Sequence, residues 1–174
     1  MFKIVILALV LVVAIVLAVA ATRPNDFRVQ RSLSIKAPPE KIAPLIANFH
    51  DWSDWSPYEK LDPQMRRSYG GADSGVGAVY SWEGNGKVGQ GRMEILDASP
   101  AKLTIKLDFI KPFEGHNTAE FTLQPQGDAT LVTWAMYGPA PFVSKLMGLF
   151  FNMDQMIGKD FETGLASLKA ATEK

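Results

Sequence analysis

His50 and Asp54 stand four residues apart, a spacing that could turn both toward one ligand or metal from a single helix face. Zinc takes three or four protein ligands, no third one follows at a suitable spacing, and His116 is far away in sequence. Asp51 or Asp54 is therefore read as the cap of a short helix, with His50 at the surface. Gly84-x-Gly-x-x-Gly89 has the letters of a dinucleotide-binding loop, but strand-like segments flank it on both sides. No helix starts after Gly89 to receive a pyrophosphate, so it reads as a hairpin and a bend. Acid–base work could fall to Glu83, Arg92, Asp108 or Glu120 if one of them points inward, where burial would raise a carboxyl pKa. Alternation instead sets Asp108 and Glu120 opposite Phe109 and Phe121, on the solvated face. Ser74 lies in an Asp-Ser-Gly turn, and no nucleophile elbow or cysteine–histidine pair is present. The chain has no cysteine, which excludes thiolate chemistry and disulfides, and its formal net charge of zero gives no sign of nucleic-acid binding. No catalytic residue, metal site or cofactor is assigned.

The elements that would position a site follow from periodicity. Phe27 to Ile35 alternates as a half-buried strand. Ala37-Pro38-Pro39-Glu40 opens a helix with an apolar face of Ile42, Leu45, Ile46 and Phe49, which Pro44 kinks or keeps short. Trp52 and Trp55 share a face if a second short helix follows; Tyr58 to Gln64 reads as loop. Strands are expected over 65–69, 76–83, 87–97, 101–110, 116–124 and 130–137. Eight of the fourteen glycines fall between Gly70 and Gly91, where bulges and bends are expected. From Pro139 to Lys174, Phe142, Leu146, Leu149, Phe150, Met153, Met156, Ile157, Phe161, Leu165 and Leu168 recur by threes and fours, one face of a long helix. Asp154, Lys159, Asp160, Glu162 and Lys169 fall largely on the other face. The order is α+β, a curved antiparallel sheet around a long C-terminal helix.

Strand parity points Tyr80, Trp82, Met93, Phe109, Phe121, Val132, Trp134 and Met136 inward, with Phe150, Met153 and Ile157 added by the helix and Trp55 by the short helix. Such residues either pack on one another or line an apolar pocket; a bulge would shift the parity of every residue after it. The segment Phe142 to Phe151 is apolar nearly all round, and two readings stay open: a lid on the pocket that touches a membrane, or a helix fully buried under the two short ones.

Residues 4–21 are all apolar and, at ~1.5 Å each, span about 27 Å, enough to cross a bilayer's hydrocarbon. A retained anchor is favoured over a secretory signal with Ala18-Val19-Ala20 at its cleavage site, because the run is longer than a usual signal core. Lys3 favours a cytoplasmic N-terminus and an extracytoplasmic (periplasmic) domain, secreted if the segment is cleaved, although Arg23, Arg28 and Arg31 weaken that orientation. The expected organisation is an anchor or signal over 1–22, a linker over 23–26 and one domain over 27–174.

The residues now carry a resemblance. Ile35-Lys-Ala-Pro-Pro-Glu40, Phe49-His-Asp-Trp52, Trp55-Ser-Pro57, Gly75-Val-Gly77, Trp82-Glu-Gly-Asn85, Lys87-Val-Gly89 and the stretch from Asp154 to Leu168 with its Gly158-Lys-Asp-Phe161 and Gly164-Leu165 are similar to the polyketide cyclase and START-related lipid-binding superfamily of helix-grip proteins. The likeness is nearest to a bacterial subgroup with an N-terminal hydrophobic segment. It implies a cavity between sheet and helix, and hence binding or transport of a hydrophobic, lipid-like molecule near a membrane. An enzyme of cyclase, hydrolase or dehydratase type, and an interaction module without ligand, are the alternatives the same fold implies.

Overall fold

The computed structural model describes residues 2–173. Helix α1 (Phe2–Ala21) precedes β1 (Asp26–Ile35), α2 (Pro39–Ala47), a 3-10 turn (Phe49–Asp51), and the single-turn helices α3 (Trp52–Trp55) and α4 (Tyr58–Leu61). Six strands follow: β2 (Arg66–Gly71), β3 (Ala78–Glu83), β4 (Gln90–Ser99), β5 (Lys102–Lys111), β6 (Gly115–Gln126) and β7 (Ala129–Pro139). Helices α5 (Phe142–Met147) and α6 (Met153–Thr172) close the chain. All strand pairs are antiparallel in the order β1-β7-β6-β5-β4-β3-β2, so the first strand docks against the last, and β2 to β7 run as a six-stranded meander. The α+β architecture is the one read from the sequence.

Three expectations need correction. Tyr58–Leu61 forms a helical turn where loop was expected. Val76-Gly77 and Lys87-Val88-Gly89 belong to turns rather than strands, because Gly77 and Gly89 sit at φ +86° and +64°, conformations a strand cannot hold. The long helix is broken: Gly148 ends α5, and Asn152 starts α6 by accepting a hydrogen bond from the Gln155 amide at 3.0 Å.

Helix α2 shows why the tryptophans follow it. Pro44 keeps it to nine residues, and its last carbonyls lack helical partners. Trp52 Nε1 donates to Ile46 O at 2.9 Å and Trp55 Nε1 to Leu45 O at 3.0 Å, so α3 satisfies the end of α2 and locks across it.

Helix α6 lies along the concave face of the sheet, over β1 and β7. Arg31 of β1 donates from Nε to Glu162 at 2.9 Å and from Nη2 to Asp154 at 3.0 Å. Gly158, midway between these two carboxylates, leaves room for the guanidinium; a Cβ there would strike it. Trp134 stacks on Phe161 at 4.2 Å, and its Cζ3 corner rests where Gly164 has no side chain. At one end of the grip, Ile35, Ile42, Ile46, Leu103, Ile105, Leu123, Val132, Leu165 and Leu168 fill the space completely.

Candidate ligand cavity

At the other end the grip does not close. A cavity of about 590 Å³ lies between the sheet and the first half of α6. The pairings Tyr80↔Met93 and Val29↔Met136 bring these four side chains to its walls. Of the residues picked by parity and spacing, Tyr80, Trp82, Met93, Phe109, Trp134, Met136, Met153 and Ile157 line it.

Three do not. Trp55 and Phe121 are fully buried in the closed core, where their rings meet edge-on at 6.0 Å. Parity fixes the face of a strand but not the depth along it, and Phe121 sits below the cavity floor, as does Val132. Phe150 lies in the break between α5 and α6 and is 67% exposed, because Gly148 turns the chain outward before α6 begins. The reading of Phe142 to Phe151 as fully buried is thereby overturned: Phe142, Val143, Met147, Phe150 and Phe151 are all exposed.

The polar groups at the cavity come mostly from residues the sequence did not single out. Glu59 of α4 accepts from Arg67 Nε at 2.6 Å and from the Tyr80 hydroxyl at 2.5 Å. Burial and this bond to Glu59 push the Tyr80 phenol far above its ordinary pKa, so it remains a donor. Tyr58, stacked edge-on against Trp134, is likewise held protonated by burial and by the neighbouring charge of Asp160. Asp160 had been placed on the polar side of the helix. It lines the cavity between Ile157 and Phe161, and desolvation raises its pKa. Its position three residues after Ile157 was the available signal. Trp134 Nε1 is buried without a hydrogen-bond partner among the described residues.

The carboxylates considered for catalysis lie elsewhere. Asp108 binds His116 and Lys106, Glu120 binds Lys102 and Arg28, and Glu83 binds Arg66, all in surface pairs. Arg92 pairs with Glu94. His50 stacks on Tyr69 with ring centroids 3.9 Å apart. No group of three or more metal-ligating side chains occurs among the described residues. The loop from Gly84 to Gly89 joins β3 to β4 and is tied down by Asp62, which accepts from the Asn85 amide at 2.7 Å.

Asp160 yields a pH prediction. Its folded pKa is raised, so its charge opposes folding at neutral pH, and the opposition fades as pH falls through the folded pKa. Asp160→Asn is therefore expected to be at least as stable as the parent at pH 7, with its advantage shrinking toward pH 4 in thermal melts of the full chain in detergent. An advantage that grows toward acid would contradict this placement.

No curated protein matches the chain. Among solved structures, protein CV1439 from Chromobacterium violaceum superposes with a TM-score of 0.60 at 16% identity, covering 87% of this chain and 99% of that one. Protein MLL2253 from Mesorhizobium loti gives 0.60 at 18% identity over 83% and 95% of the two chains. The Aha1 protein from Colwellia psychrerythraea gives 0.59 at 17% identity over 84% and 96%. These likenesses speak to the fold. The family model for polyketide cyclase / dehydrase and lipid transport proteins matches residues 26–173, from the first strand to the end of α6, and to that family the chain belongs.

Proposed function

We propose that the domain binds a hydrophobic, lipid-like small molecule in the cavity, beside a membrane to which residues 4–21 anchor it. The observation that carries this reading is the cavity itself. It is large enough for an extended acyl or isoprenoid-sized chain, and the greater part of its exposed wall is apolar, from aromatic, aliphatic and methionine side chains. Its buried carboxylate Glu59 is already neutralised by Arg67, as suits an apolar occupant. Anchoring is supported by α1, twenty residues with mean hydropathy 3.5 and only 6% of the span buried. The charge of Lys3 favours placing the domain on the extracytoplasmic side. An unfilled grip weighs against an interaction module, which would have no use for such a space.

Trp52, Trp82 and Trp134 all touch the cavity, so a nitroxide-bearing fatty acid bound there is expected to quench tryptophan emission saturably in the full chain in detergent. Quenching that rises linearly, without saturation and without competition from unlabelled fatty acid, would sink the binding reading.

One observation favours an enzyme as the second reading: the carboxyl of Asp160, with its raised pKa, near the phenol of Tyr58 at the wall of a shaped apolar cavity. Such a group is suited to general acid work on a bound polyketide-like substrate. Turnover that disappears in Asp160→Asn while binding persists would establish it.

A further inference from the structure

We infer that the corner between α5 and α6 is a second membrane-contacting element, and that it is the door through which the cavity exchanges its occupant with the lipid leaflet. The door rests on the ligand-binding reading above; the membrane contact does not.

The argument starts at the last turn of α1. From Phe2 to Ile15 every side chain of that helix is exposed. Contact with the domain is confined to one stripe near its end, where Val16 is partly and Ala20 fully buried, and the helix it packs on is α5. Four residues at ~1.5 Å each separate those positions, about one helical turn. A span of this length places its last turn at the edge of the hydrocarbon, and α5 is held at the same depth.

What α5 and the following break present at that depth is apolar. Phe142, Val143, Met147, Phe150, Phe151 and Met156 are exposed, Phe151 by 51%. Exposed aromatic and methionine side chains gathered in one stretch of chain are costly in water and mark a binding face. The backbone of the break suits the headgroup region, because three of its amides are satisfied internally: Phe150 N and Phe151 N both donate to Met147 O at 3.0 Å, and Leu149 N to Leu146 O at 3.2 Å. Basic groups flank the apolar surface, with Arg23 just after the span and Lys145 steadied by Asn25 Oδ1 at 2.6 Å. Apolar side chains between cations fit a lipid surface with anionic headgroups.

The cavity opens here. Arg23, Pro24, Pro141, Lys145, Gly148 and Met153 line it and all but Lys145 are exposed, so its wall reaches the surface at the stretch after α1 and at the α5–α6 corner, beside the membrane-facing side chains. A hydrophobic occupant leaving by this route meets lipid rather than water.

The test uses the full chain in phosphatidylcholine–phosphatidylglycerol vesicles. The absence of native cysteine allows single nitroxide labels at Phe151→Cys and, as a reference, at Val76→Cys, which is exposed in the turn beside the end of α2 at the closed end of the domain. The label at 151 is expected to be accessible to oxygen and shielded from aqueous nickel chelate, and the label at 76 the reverse. Equal nickel accessibility overturns the membrane contact. Shielding of 151 from both reagents overturns it in favour of a protein partner or a second copy. Phe150→Glu/Phe151→Glu is then expected to slow transfer of the nitroxide fatty acid from vesicles into the cavity at least ten-fold, with unchanged equilibrium binding in micelles. An unchanged transfer rate overturns the door. A parent protein that binds no probe in micelles overturns the ligand reading and the door with it, while the labels still decide the contact.

Discussion

Ala119→Trp is expected to weaken binding of an apolar probe by more than ten-fold while the protein still folds. Ala119 lies midway along β6, paired with Ile105 on one side and Met136 on the other. It is 3% exposed and borders the cavity, so the space in front of it is there because its side chain is small. An indole at this position projects into that space and takes the volume an occupant would use. Insertion of extra bulk in a packed core costs ~1–3 kcal/mol, but here much of the ring enters a void, which puts the cost at the lower end. Urea unfolding of the variant in micelles checks the fold, and Ala119→Leu supplies a graded version if the larger ring proves disruptive. Full affinity in a folded Ala119→Trp protein would mean that probes bind somewhere else.

The largest effect on stability is expected from Trp134→Ala. Trp134 stacks on Phe161 of α6 at 4.2 Å and on Phe121 of β6 at 5.0 Å, and meets Trp55 edge-on at 5.7 Å. It is the side chain through which the sheet, the short helices and α6 all touch. Truncating a buried tryptophan typically costs ~3–5 kcal/mol, and here it also extends the cavity into the closed core. Trp134→Phe is expected to cost far less, because the indole nitrogen it removes has no hydrogen-bond partner among the described residues. Comparing both variants by denaturant midpoint separates ring stacking from polar contribution. Equal losses would show that Nε1 is satisfied in solution.

What the sequence made legible follows from periods of two and of three to four. The alternation in Phe27 to Ile35 and in the later strands places a residue on the correct face of the sheet, and Ile157, Phe161, Leu165 and Leu168 mark the buried stripe of α6. Depth along those faces is set by the packing of α2 and α3, which no local pattern encodes, and this is why Phe121 and Trp55 fell in the core instead of the cavity. The break in the long helix was obscured because the apolar spacing runs straight through it; only Gly148 and Asn152 signal the stop and the new cap. Glu59 and Tyr58 were hidden in a segment read as loop, and Asp160 by the assumption that a helix carboxylate faces water. The register shift at Gln90/Gly91 falls in the glycine-dense stretch where bulges and bends were expected, whereas that between Ile95 and Asp97 lies beyond it and involves no glycine. Met93 keeps its inward direction, since it is read across from Tyr80 and lies between the two shifts.

The most direct test of the ligand-binding account is native mass spectrometry of the full chain, extracted from its own membranes in mild detergent, with analysis of whatever the protein releases on unfolding. The account predicts a stoichiometric adduct of lipid-like mass that is lost in Ala119→Trp. A bare protein that also fails to take up fatty acids, phospholipids or isoprenoids on incubation would contradict it.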